Sequence, residues 1–425
     1  DGRMTPWLGM PIAEFPNLKH VFLIGSFLRK DHPLLAARVR QAVKRGAKIS
    51  IMHAVDDELL MPIANKMIKA PSAWLSALAE VAVAIAQKKG IAAPSGPENV
   101  QPSSAAQQTA EGLLSGEPSG VFLGNAVAQH PQASQLHAMA QWIAQNTNAH
   151  FGYLTEAANT VGGYVANATP GKDGANAMQM LEQPRKAYLL LHVEPELDCF
   201  DPQLARAALQ QADMVVVMSP FKHGMEYADV LLPIAPFSET SGTFINAEGR
   251  VQSFNGSAKP LGETRPAWKA LRVLGNLLEL PGFDYESSEV IRDQVLNSAV
   301  DLDATLDNIC DLQPQAPGSA ADAGEQIERV ADVPIYFSDG IVRRAKALQL
   351  TNDAKPPKAW LSKELAEKIG VTSGMPVLVK QGDGSTTLEA EVDPHLPANV
   401  VRVATAHSST AMLGAMFGSI TVEKA

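Results

Sequence analysis

The sequence predicts an α/β protein of two Rossmann-like units followed by a small β-barrel. Three observations predict it. Short apolar runs ending in glycine alternate with helix-length amphipathic stretches through most of the chain. Stretches rich in Pro, Ser, Gly and Ala, at residues 92–119 and 314–324, divide that alternation. Beyond them Val377-Leu378-Val379-Lys380 and Thr386-Thr387-Leu388-Glu389-Ala390 flank Gly382-Asp383-Gly384, whose Asp-Gly pair signals a hairpin. The expected units are residues 1–110, 111–325 and 326–425.

The elements follow in order. Val21-Phe22-Leu23-Ile24-Gly25 reads as a buried parallel strand, and Pro33 suits the first position of a helix that Gly46 stops. Ala47-Lys48-Ile49-Ser50-Ile51-Met52 is the next strand, which completes a βαβ unit. Ser72 is placed to cap an alanine-rich helix ended by Gly90, and a short helix is expected within 105–114. Val121-Phe122-Leu123-Gly124 opens the second unit, with a helix over 131–145, strands at 187–192 and 214–218, and a helix over 202–211 between them. Amphipathic helices are expected over 268–280 and 288–299, and one short helix, 362–369, inside the barrel.

Composition limits the function. A net charge of −10 argues against a nucleic-acid or anionic-membrane surface as the main partner. The two cysteines, Cys199 and Cys310, exclude an iron–sulfur cubane held wholly within these residues and give no disulfide framework. No apolar run is long enough to span a bilayer, so direct membrane insertion is not expected. The start, Asp1-Gly2-Arg3-Met4, is neither an initiator nor a signal peptide and reads as the interior of a longer protein.

The motifs are sparse. The turn Gly25-Ser26-Phe27 could present helix N–H groups to a phosphate, but one glycine is not a dinucleotide fingerprint. The histidines lack metal-site spacing, so no metal ligand or catalytic residue is assigned. The most specific stretch runs from Ala228 to Gln252: a strand ends at Pro233 and enters a polar loop bearing Glu239, Thr243, Asn246, Glu248 and Arg250. These side chains suit either an internally satisfied loop, with Arg250 pairing to Glu239, or the wall of a cofactor site.

That stretch, with Thr243-Phe244-Ile245-Asn246-Ala247-Glu248-Gly249-Arg250-Val251-Gln252 at its end, closely resembles the signature of the molybdopterin oxidoreductases, which include formate dehydrogenases. Residues 25–45 resemble the family's first βαβ unit, 120–125 its second glycine-ended strand, and 375 onward its C-terminal barrel. The resemblance implies α/β units of the formate dehydrogenase and dimethyl sulfoxide reductase type and a double-psi-like barrel. Three departures stand out: Phe27 in the first turn, His53-Ala54-Val55 after the second strand, and Ala70-Pro71-Ser72-Ala73 before the next helix. With Gly25, Ser26 and Gly124 they mark an eroded pterin site, so molybdopterin is not expected here.

Within the family the pattern looks most like the large iron–sulfur subunit of bacterial NADH:quinone oxidoreductase, respiratory complex I. The resemblance implies a cofactor-free scaffold, iron–sulfur clusters in a preceding region, other peripheral-arm subunits as partners, and a peripheral place on the cytoplasmic side of the inner membrane. The alternatives are an active molybdopterin enzyme such as a formate dehydrogenase subunit, or a non-enzymatic interaction module.

Overall fold

The computed structural model describes residues 5–95, 100–297, 301–315 and 326–425. The connection expected at 314–324 lies almost wholly outside them.

The first body is a five-stranded parallel sheet: β1 (His20–Ile24), β2 (Lys48–His53), β3 (Asn65–Ile68), β4 (Ser119–Leu123) and β5 (His150–Tyr153), in the order 3-2-1-4-5. Both faces are covered, as an all-parallel sheet requires. On one face Val21, Leu23, Ile49 and Ile51 pack with Leu35, Ala36 and Val39 of the helix Pro33–Lys44. On the other, Phe22, Ile24 and Met52 meet the helices Trp74–Lys89, Ser104–Ser115 and Ala133–Thr147. Those helices are rich in alanine, whose small side chain lets them sit close to one another and to the strands.

Three expectations change here. The strand Ser119–Leu123 does not open the second unit but pairs with β1, because all five of its residues are buried in the core of the first sheet. The stretch 92–119 is therefore not a simple connection: Ser103 caps the helix Ser104–Ser115, which covers that core. Ser72 caps nothing; its N–H and hydroxyl instead donate to Glu328, and the helix begins at Trp74.

The second body is a three-stranded parallel sheet, β6 (Ala187–Leu191), β7 (Met214–Ser219) and β8 (Val230–Pro233), in the order 6-7-8. Tyr188, Val215 and Val217 on one face pack against Ala208 and Leu209 of the helix Pro202–Gln210. The other face carries Leu189, Leu191, Val230 and Leu232, all exposed. A hairpin, β9 (Gly242–Ile245) with β10 (Val251–Phe254), and the helices Ala267–Leu277 and Ser288–Val295 follow.

The third body is a seven-stranded mixed sheet from β11 (Glu328–Val330), β12 (Ala359–Leu361), β13 (Pro376–Gln381), β14 (Gly384–Val392), β15 (Val400–Arg402), β16 (Phe417–Ser419) and β17 (Thr421–Lys424). The expected hairpin is β13–β14, with Gly382 at φ +58 in the turn, where a left-handed conformation suits glycine. The sheet order, 16-11-15-12-14-13-17, places β16 and β17 at opposite ends, yet Ile420 alone separates them in the chain. One residue cannot cross an open sheet, so the sheet curls until its ends meet. Val330, Leu396, Val400, Met416 and Phe417 extend from this body into the core around Trp74, which joins it to the first sheet. Among the described residues no helix is long and apolar enough to cross a membrane.

Candidate functional site

In a parallel sheet, ligands bind beyond the carboxyl ends of the strands, where the strand order reverses. Here that point lies between β1 and β4, since β2 and β3 lie on one side of the pair and β5 on the other. A cleft of about 1020 Å³ opens there. Its walls are the segments that follow parallel strands: Lys30 and Asp31 after β1, Asn125 and Gln129 after β4, Glu156 after β5, and His192 after β6. Asp332 after β11 and Ala406 after β15 close the side toward the third body.

Two of these residues, His192 at φ +55 and Ala406 at φ +59, hold a left-handed backbone that non-glycine residues adopt at a cost. Strain of this kind persists where the surrounding structure enforces it, commonly at functional sites.

The cleft is acidic. Burial, then the neighbouring Asp332 and Glu156 carboxylates, push the Asp31 carboxyl up to about 7, while the Asn125 side chain opposes the shift. Burial also raises Glu156, against a 2.6 Å hydrogen bond donated by Gln129. Burial pushes Asp332 up as well, but Arg402 more than reverses it and holds the carboxyl below its ordinary value. Lys30 is the one lysine or arginine among the described lining residues, and it is paired at 2.5 Å with Asp353. Cys199 also lines the cleft, and burial and the nearby Asp198 raise its thiol to about 11, so it is not a thiolate nucleophile at neutral pH. Asp31 is the group poised to exchange a proton near pH 7.

The residues singled out in the sequence fall into two places. Gly25, Ser26, Phe27, His53 and Gly124 converge at the ends of β1, β2 and β4, beneath the cleft. A Cβ on Gly124 would lie 2.4 Å from the Gly25 carbonyl oxygen, so only glycine allows that approach. Phe27 is 4% exposed, packs edge-on to His53 at 4.4 Å, and has the Arg402 guanidinium 5.0 Å from its ring centre. Ser26 Oγ and His53 Nε2 are buried without partners, but the space they line, about 10 Å³, holds at most one water. Burial depresses His53 to about 4, so it is neutral.

The loop residues lie elsewhere, and none of them lines the cleft. Asn246 Oδ1 accepts the amides of Glu248 and Arg250, Glu248 accepts the Ile12 amide at 2.7 Å, and Thr243 bonds Ser253. Arg250 does not pair with Glu239. It is exposed and bonds Glu248 at 3.1 Å, while Glu239 accepts the Leu261 amide, because the tight β9–β10 turn brings 248 and 250 together. Sequence reasoning missed Asp31, Glu156, Asp332 and Arg402. No clean signal marked them: Glu156 and Asp332 follow β5 and β11, whose sequences, His150-Phe151-Gly152-Tyr153 and Glu328-Arg329-Val330, are not apolar runs.

Comparison with known proteins completes the picture. The sequence model of the family described as molybdopterin oxidoreductase matches residues 1–277. Two proteins named "Putative formate dehydrogenase" are similar: one from Staphylococcus haemolyticus, 30% identical over 136 residues, and one from Staphylococcus aureus strain USA300, 33% identical over 138. Each match covers 31% of this chain and 14% of the relative's length. Among solved structures, acetylene hydratase from Pelobacter acetylenicus superposes with a TM-score of 0.66 over 97% of this chain and 78% of its own, at 13% identity. That similarity is one of fold: a mixed α/β architecture with parallel sheets.

The family match overturns the expectation that molybdopterin has no place here, since the molybdopterin oxidoreductase model matches residues 1–277, the part that holds the cleft's first walls. The error came from weighing three altered turns above a ligand-sized cleft that the sequence did not reveal. The residues of the cleft fit the ring system of such a cofactor: carboxylates accept from the amino and N–H edges of a pterin, and the Asn125 and Gln129 amides supply donors.

Proposed function

The chain belongs to the molybdopterin oxidoreductase family, and from that premise we propose that it serves a formate-dehydrogenase-like oxidoreductase. The observation that carries this reading is the cleft of about 1020 Å³ at the strand-order reversal between β1 and β4. Asp31, Asn125, Gln129 and Glu156 would hold the pterin rings, and Lys30 would face its phosphate. When bound, the group supplies two-electron redox chemistry. Formate would yield carbon dioxide, two electrons for that group and one proton, which Asp31 is placed to accept. The curled C-terminal sheet would be a double-psi barrel that closes the cleft from above.

The test is molybdenum and pterin content of the purified protein, with formate-dependent reduction of a viologen dye as the activity. The reading expects molybdenum bound in proportion to protein. Metal-free protein after expression in a host making the cofactor counts against it.

A second reading is favoured by Phe27, which fills the first βαβ turn between His53 and Arg402. It makes the chain part of the large peripheral-arm subunit of a bacterial NADH:quinone oxidoreductase, docked on other subunits at the cytoplasmic face of the inner membrane. Co-purification with an NADH-oxidising membrane complex supports this reading, and recovery as a free protein opposes it.

A further inference from the structure

A second cavity, of about 250 Å³, lies between the β9 strand and the helices Thr160–Val165 and Ser288–Val295. It is half-open to solvent and shares no described lining residue with the cleft. Ile245, Ile291, Val295 and Leu296 line it with aliphatic surface, and Trp268 contributes an aromatic side. Arg292 is the one charged residue among its described lining residues.

The walls are fixed, and so is the arginine. Asn159 Oδ1 accepts the Ile245 amide at 2.8 Å, and the Ser241 and Ser288 hydroxyls bond each other at 2.7 Å, which ties both helices to β9. Arg292 Nε donates to Asp293 Oδ1 at 2.7 Å, Nη2 lies 2.7 Å from the same oxygen, and Nη1 donates to Ser253 Oγ on β10 at 3.4 Å. A guanidinium carries five N–H donors, two of them on each terminal nitrogen. These contacts leave one N–H on Nη1 and one on Nη2, the fork that matches a carboxylate. Asp293 and Glu289, the acidic neighbours of Arg292, are exposed and line no part of the cavity. The Asp293 side chain is 67% exposed, and an ion pair so open to water is a weak competitor for the guanidinium.

We propose that this cavity binds a small monocarboxylate with a flat apolar ring body, the ring lying among the aliphatic walls and Trp268 and the carboxylate on the fork of Arg292. The size sets the body. An apolar cavity of about 150 Å³ accommodates benzene, so this one has room for a second ring or a short arm that carries the acid. The charge sets the head group: a lone arginine with no acid beside it in the wall selects an anion over a cation. A second negative charge would sit against Ile245, Ile291 and Val295 without a counter-ion, which selects a monoanion. An anion without the ring would leave the aliphatic walls wet and forgo the gain from covering them. The site does not depend on the reading of the cleft.

The test uses three probes: 2-naphthoate, its neutral isostere 2-naphthamide, and acetate, which has the charge without the ring. Binding to the full chain is followed by ligand-observed NMR and calorimetry. Naphthoate should bind at least about tenfold more tightly than naphthamide, the effect of charge-assisted hydrogen bonds to one fork, and acetate should not bind measurably. Arg292→Gln should bring naphthoate down to the naphthamide level and leave naphthamide unchanged. Arg265→Gln, which removes an exposed arginine outside the cavity, should change neither. Val295→Trp, or Ile291→Trp if the first fails to fold, should fill the cavity and abolish both. Equal affinities of naphthoate and naphthamide, no binding of naphthoate, undiminished naphthoate binding in Arg292→Gln, an equal loss in Arg265→Gln, or binding that survives the filled cavity would each overturn the proposal.

Discussion

Arg402 Nε and Nη2 grip the two carboxylate oxygens of Asp332 at 3.0 and 3.1 Å, while Nη1 reaches Asp57 at 2.9 Å. The grip joins the third body to the first, because Arg402 ends β15 and Asp57 follows β2. The Arg402 and Asp332 side chains are less than one-fifth exposed, so removing one partner strands a poorly solvated charge. Arg402→Ala should cost about 3–5 kcal/mol, read as a fall in denaturation midpoint. An unchanged midpoint would mean that the two bodies hold together without this contact.

The same contact has a pH dependence. Asp332 is held below its ordinary value of 3.8, so its contribution is full above that pH and fades as pH falls through the lower folded value. Asp31 behaves oppositely. Its folded value, about 7, lies above the ordinary 3.8, so the folded state retains a proton the unfolded chain releases, and stability declines as pH rises across that window. Asp31→Asn should therefore raise the melting temperature at pH 8 and leave it nearly unchanged at pH 4. Equal effects at both pH values would show that Asp31 titrates normally.

In the β9–β10 turn, Arg250 and Asn246 should differ. Arg250 is exposed, and its pair with Glu248 is a surface contact, so Arg250→Ala should change stability by less than about 1 kcal/mol. Asn246→Ala removes the acceptor for two backbone amides and should cost about 1–2 kcal/mol. Chemical denaturation of the two variants side by side gives the comparison.

Gly124→Ala tests the close approach of β4 to β1. The added Cβ would fall 2.4 Å from the Gly25 carbonyl oxygen and 2.5 Å from Ser26 Cβ, and backbone must shift to admit it. A loss of about 2 kcal/mol or more is expected, within the range for strained or overpacked sites. A neutral outcome would mean that the strand ends separate easily.

Periodicity made most of the regular structure legible, since β1, β2, β4, β6 and β7 are apolar runs with few competing readings. β5 was missed because His150-Phe151-Gly152-Tyr153 mixes a histidine and a glycine into four residues. Pairing partners were harder: nothing local to Ser119–Leu123 says that it lies beside β1, a choice made by the helices that bury it. Arg329 was equally hidden. It is fully buried and donates to Gln381 and to the carbonyls of Val403, Ala404, Gly414 and Ala415, acceptors brought together only by the fold of the third body. The cleft was invisible for the same reason, since its walls come from six strand ends spread across the chain.

The single residue between β16 and β17 has a consequence for the protein in solution. Strands that bound an open sheet offer unpaired N–H and C=O groups to other molecules and so seed intermolecular pairing. Ile420 brings both boundaries of the seven-stranded sheet to one place and leaves no long, flat rim to recruit a neighbour. The three-stranded sheet has no such protection: β6 and β8 are its outer strands, and Leu189, Leu191, Val230 and Leu232 lie open on its face. When the protein is concentrated or heated, aggregation should start on β6–β8, and lysine at Leu189 or Val230 should delay it, while the same change on β17 should have little effect.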